Sequence, residues 1–157
     1  MIRLVLPYPL SANRYWASTS IPVKGKRKFR AITYVTEAAK EYKETVAKLA
    51  MVAGVREPIT GQVCVVIKLF PRRPLDWAKR ARKDPDGWAD TVQCIDLDNA
   101  RKVLYDALKG IAYDDDKWIK RDAGEICEPD GEARVEVVIT PIVRAPIAPA
   151  LFEDAAA

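Results

Sequence analysis

The chain has 157 residues, 49% hydrophobic and 31% charged, with a formal net charge of +4 and no histidine. That length suits one domain able to enclose a core, and the composition excludes wholesale disorder. Without an imidazole there can be no Ser-His-Asp triad, Cys-His pair or HExxH zinc site, so catalysis must rest on carboxylates, lysines, hydroxyls, thiols or a bound ion.

Ile2–Leu6 reads as a first strand, ended by Pro7 and Pro9. Residues 10–30 then form a polar, basic loop with interleaved aromatics: Asn13, Arg14, Tyr15 and Trp16, followed by Lys24, Lys26, Arg27, Lys28 and Arg30. Cations neutralise phosphates and aromatic rings stack on unpaired bases, so the mixture suits irregular nucleic acid; a solvated basic loop would read the same way. Thr36 can cap a helix over Glu37–Ala53, with Ala38, Tyr42, Val46 and Leu49 on its apolar face and Gly54 as a stop. Gly61–Phe70, rich in β-branched residues, reads as a central strand.

Pro71–Val92 is a long polar segment with Arg72, Arg73, Lys79, Arg80, Arg82 and Lys83 near Trp77 and Trp88, and room for a short helix over Pro74–Arg82. Leu97–Lys109 places Leu97, Ala100, Val103, Leu104, Ala107 and Leu108 on one helical face, closed by Gly110. Trp118–Ile126 and Arg134–Ile139 look like a closing hairpin across Glu128–Gly131. The order β-α-β-loop-α-β-β predicts a single compact α+β domain over 1–141, a mixed sheet with two main helices, followed by a Pro/Ala-rich tail at 142–157.

Charge and cysteine usage add to this. Residues 1–50 carry ten basic side chains against Glu37, Glu41 and Glu44, which leaves the rest of the chain net acidic. Such asymmetry fits a polyanionic partner on one side and an acidic feature elsewhere. Cys64, Cys94 and Cys127 are odd in number and lack CxxC spacing. Neither a disulfide framework nor a zinc site is expected, and a reducing cytoplasm is favoured. No signal peptide and no membrane span of ~18 apolar residues is expected.

The acidic feature is the stretch Ile95–Trp118, IDLDNARKVLYDALKGIAYDDDKW. Asp96 and Asp98 open the helix, where one can cap it; a second Asp two residues on is harder to explain by capping. Asp114, Asp115 and Asp116 follow the same helix at its negative end, where adjacent carboxylates repel one another and oppose the dipole. Converging carboxylates are reconciled by a hard divalent cation, Mg²⁺ or Mn²⁺, although a solvated acidic turn is the plain alternative. Lys102 lies four residues after Asp98, either as a charge ladder or as an ammonium for charge developing on a phosphate. Asp106 is expected to orient Lys102 or to bond locally rather than to bind metal. No GxxxxGK[ST] motif calls for a nucleotide cofactor.

Three segments, PYPLSANRYW (Pro7–Trp16), DLDNARKVLYDAL (Asp96–Leu108) and GIAYDDDKWI (Gly110–Ile119), resemble the RusA-type Holliday junction resolvases, small bacterial and phage endodeoxyribonucleases. The resemblance covers roughly residues 2–140. It implies Mg²⁺-dependent cutting of four-way DNA junctions by a homodimer, with one site per subunit nicking symmetrically opposed strands. It implies essential carboxylates at Asp96, Asp98 and the last Asp of the turn, with Lys102 in support. An ungapped match makes Asp116 the key turn ligand beside Asp115, whereas a shifted match promotes Asp115; Asp114 is then an extra surface charge. Ile95 and Trp118 stand where the family often has polar or basic residues, and the 71–94 loop is long, but the carboxylate set is intact.

Overall fold

The computed structural model describes residues 1–25 and 27–143. Three strands with alternating apolar residues supply the core: β1 (Ile2–Pro7), β4 (Val63–Phe70) and β6 (Arg134–Pro141). Because successive side chains point to opposite faces, Leu4 and Leu6, Val63 to Leu69, and Val135 to Ile139 turn inward at every second position. Registry aligns them into rows across the sheet: Ile2–Ile139–Val65, Leu4–Val137–Ile67 and Leu6–Val135–Leu69. Each such aliphatic side chain, fully buried, stabilises the fold by about 1.5–3 kcal/mol.

Two helices cover these rows. α2 (Glu37–Val52) begins at Thr36, whose Oγ1 accepts the Ala39 amide at 3.3 Å, as the sequence predicts. Its buried face is Ala39, Tyr42, Val46 and Ala50, while Ala38 is exposed and Leu49 only half-buried. The expected stripe is therefore rotated slightly at both ends. α4 (Leu97–Leu108) buries Ala100, Val103, Leu104, Ala107 and Leu108 of the predicted face, with Leu97 half-buried at its start. Gly110 follows with φ of 72° and donates its amide to the Tyr113 carbonyl at 2.8 Å, a turn that a side chain would strain.

Two expectations are corrected. Residues 10–30 are not a loop: α1 (Ala12–Tyr15) leads into β2 (Trp16–Pro22), which pairs antiparallel with β3 (Phe29–Val35) as a separate two-stranded ribbon. Nor is the C-terminal pair a hairpin. The sheet order is β1-β6-β4-β5, so β4 lies between β6 and β5 (Ile119–Ile126), and β5 runs parallel to β4. The polar sequence IKRDAGEI fits an edge, and only the apolar β4 and β6 fit the sheet interior. The fold is thus α+β with a mixed sheet and several helices. The 71–92 segment forms α3 (Trp77–Lys83) and a 3₁₀ turn at Trp88–Thr91, tied by Arg80 Nη1 donating to Thr91 Oγ1 at 3.0 Å. Of the expected tail, residues 144–157 lie outside the described residues, as does Lys26. No helix among the described residues is long and apolar enough to cross a membrane.

Candidate active site

The chain enters α4 through a fixed approach. Tyr8, between Pro7 and Pro9, accepts the Ile95 amide on its hydroxyl at 3.1 Å, which holds the residue before Asp96. Asp96 is the N-cap: Oδ1 accepts the Asn99 amide and Oδ2 accepts Asn99 Nδ2, each at 2.8 Å. Asp98, in the first turn, receives Lys102 Nζ at 2.6 Å. That contact raises the Lys102 pKa, so the ammonium stays charged well into the alkaline range. All three of Asp96, Asp98 and Lys102 face solvent. Tyr8 and Asn99 escaped the sequence reading; the usable signals were a tyrosine set between prolines and an amide three residues after the cap.

The 114–116 turn is organised by Lys109, also missed from sequence. Its Nζ lies 2.8 Å from Asp115 Oδ2 and 3.6 Å from Asp116 Oδ1. Asp115 Oδ1 also accepts the Lys117 amide at 3.1 Å, starting a 3₁₀ turn over Asp116–Trp118. The Lys109 contact and that backbone bond hold the Asp115 carboxyl down at about 2. A cation at the end of α4 also suits the helix dipole, which offsets the acidic turn there. Asp114 is exposed. The signal available was the single lysine between the helix and three aspartates.

These two acidic groups lie at opposite ends of α4. Arg101 Nε sits 2.7 Å from Asp122 Oδ2, and the Tyr105 hydroxyl donates to the same oxygen at 3.0 Å. A Cβ on Gly124 would meet Leu97 and Arg101. β5 therefore runs antiparallel along α4, with the turn that precedes it at the helix C-terminus. Twelve residues at about 1.5 Å each separate the groups by roughly 18 Å. Among the described residues no three His, Cys, Asp or Glu side chains gather to hold a metal ion. The oxygen-only donors are of the right kind for Mg²⁺ or Mn²⁺. Within one chain, Asp96 and Asp98 stand at the other end of α4 from Asp115 and Asp116.

Asp106 does not orient Lys102. It accepts the Tyr15 hydroxyl at 2.5 Å and Lys43 Nζ at 3.1 Å, joining α1, α2 and α4. Tyr15 is completely buried, so its ring cannot stack on a base as its place among the DNA-binding candidates required. Its i−1 neighbour Arg14 and Asn13 are exposed on α1, and Trp16 is half-buried with its ring 4.5 Å from that of Tyr15. Lys24, Arg27, Lys28 and Arg30 are exposed at the far end of the ribbon. Arg72 is exposed 3.6 Å from Glu132, and Arg73 lies over the Trp77 ring at 4.8 Å. Cys64, Cys94 and Cys127 are all free thiols.

A search of curated proteins returns no significant match. The family model described as Endodeoxyribonuclease RusA matches residues 7–140, spanning both ends of α4, its approach and the ribbon, and the chain belongs to the RusA endodeoxyribonuclease family.

Proposed function

We propose that this protein is a homodimeric endodeoxyribonuclease of the bacterial cytoplasm that resolves four-way DNA junctions by paired symmetric nicks, using Mg²⁺ or, in its place, Mn²⁺. The observation that carries the reading is the split acidic set on α4. If two copies lie across a two-fold axis with their α4 helices antiparallel, Asp96 and Asp98 of one chain come beside the 114–116 turn of the other. Two equivalent composite sites result, and their two-fold relation matches that of opposed strands in a junction.

In each site Asp96, Asp98 and Asp116 would hold the ion. Asp115 is the lesser donor, because Lys109 and the Lys117 amide already occupy its two oxygens. Held there, such an ion would supply Lewis-acid chemistry for hydrolysis of the phosphodiester. Lys102, protonated beside Asp98, stabilises charge developing on the phosphate oxygens. Asn13, Arg14 and the exposed cations of the ribbon, with Arg72 and Arg73, supply counter-charge for the DNA backbone.

Subunit mixing tests this directly. Asp98→Asn and Asp116→Asn homodimers should each fail to cut a synthetic junction. Mixed and reannealed, they should regain cutting with single nicks, because one composite site of the heterodimer carries neither substitution. Continued silence of the mixture would refute the shared site. A parallel gel of junction and linear duplex with Mg²⁺ or EDTA tests substrate and metal. Paired nicks only in the junction lane with Mg²⁺ are expected. Binding without cutting would identify a non-catalytic junction-binding module, and cutting of flaps or single strands a different nuclease.

A further inference from the structure

The β2–β3 ribbon is an arm without a core. Among the described residues its strands pair only with each other, and only Trp16 and Val35, at its base, pack against the hydrophobic core. Seven residues per strand at about 3.3 Å each give it a reach of roughly 20 Å. A lone two-stranded ribbon is marginal in water, so a partner laid against this one would stabilise it. Its distal end combines two features. Phe29 is 73% exposed and sits opposite Pro22 in the last strand pair. Around it stand Lys24, Arg27, Lys28 and Arg30, none of which makes an ion pair with any described residue. Residues 1–36 contain no Asp or Glu at all, so the arm has no acid of its own to neutralise them.

We propose that this arm enters the open centre of branched DNA. Phe29 stacks against the base pair at the branch point, and the four cations hold the phosphates that surround it. The proposal rests on the branched-DNA reading above and names the part of the protein that recognises the branch. Charge selects the occupant: a second copy's ribbon would bring two cationic tips together, whereas a polyanion complements them. A two-stranded ribbon also fits a DNA groove, and apolar wedges on basic elements unstack base steps. Phe29 and Arg30 project to opposite faces of the ribbon.

Binding in EDTA separates this from catalysis. Anisotropy would be measured on a four-way junction carrying 2-aminopurine at the branch, and on a linear duplex of the same arm sequence. Wild-type protein should raise the 2-aminopurine emission of the junction. Phe29→Ala should abolish that rise and weaken junction binding about tenfold, leaving duplex binding unchanged, and Phe29→Trp should restore both. Combined Arg27→Gln, Lys28→Gln and Arg30→Gln should weaken binding to both DNAs and reduce the slope of log affinity against log salt by about 2.7. The proposal is overturned if Phe29→Ala weakens junction and duplex equally or changes neither. It is likewise overturned if wild-type protein gives no emission change, or if Phe29→Ala dissociates the dimer in sedimentation. A protein that passes these binding tests yet never cuts with Mg²⁺ would refute the nuclease reading and leave the wedge standing.

Discussion

Replacing Tyr15 by phenylalanine removes one oxygen from the place where α1, α2 and α4 are joined through a carboxylate. The Tyr15 hydroxyl donates to Asp106 Oδ2 at 2.5 Å, and Lys43 Nζ reaches the same oxygen at 3.1 Å. Burial first, and Asp106 second, push the phenol far above its ordinary range, so it donates at every working pH. A hydrogen bond to a charged group contributes about 1.5–3 kcal/mol. Asp106 is one-third exposed and keeps Lys43, so water partly replaces the lost donor and the low end, about 1.5 kcal/mol, is expected. With a urea slope of about 2 kcal/mol/M, the unfolding midpoint should fall by about 0.7 M. Tyr15→Ala, which also empties a fully buried site, should cost about 3–5 kcal/mol. In an Asp106→Ala background, Tyr15→Phe should cost less than about 0.5 kcal/mol, because its acceptor is already gone. An unchanged midpoint for the single variant, or an undiminished shift in the Asp106→Ala background, would show that the network does not carry this energy.

Asp98→Asn should abolish junction cutting while leaving junction affinity in EDTA within about twofold, since shape is kept and one charge lost; an active variant sinks the assignment of Asp98. Lys109→Met should move the Asp115 carboxyl titration, followed by ¹³C NMR, from about 2 toward the ordinary value of about 3.9. Because the folded value is depressed, the stability that this pair supplies is present above pH ~4 and is lost as pH falls toward 2. The acid limb of the wild-type stability curve should therefore flatten in the variant. Gly110→Ala, at φ of 72°, should lower stability by about 1 kcal/mol in urea titrations, because alanine is strained in that conformation.

Much of the fold can be read from periodicity. The α4 face, the Thr36 cap and the β4 strand follow from local patterns, since side-chain direction in a helix or strand repeats with the chain. The ribbon was harder to see. Its strands have no buried face, so no alternation marks Trp16–Pro22 or Phe29–Val35 as paired. Tyr15 misled for a related reason: one aromatic among basic residues looks like a stacking platform, and only the packing of α1 on α4 buries it. The order of β5 and β6 was also invisible, because adjacency in sequence favours a hairpin until β4 is known to lie between them.

The sequence by itself determined the chemistry available: no imidazole, carboxylates grouped at Asp96–Asp98 and Asp114–Asp116, and a lysine one turn from Asp98. Residue identity settles which atoms can donate and accept, whatever the fold. Where those atoms stand was decided only by tertiary structure. The α4 helix holds its two acidic groups roughly 18 Å apart, and the antiparallel passage of β5 along it keeps the turn at the far end. A linear motif records spacing along the chain, but a rigid helix converts that spacing into a distance no single side chain can span.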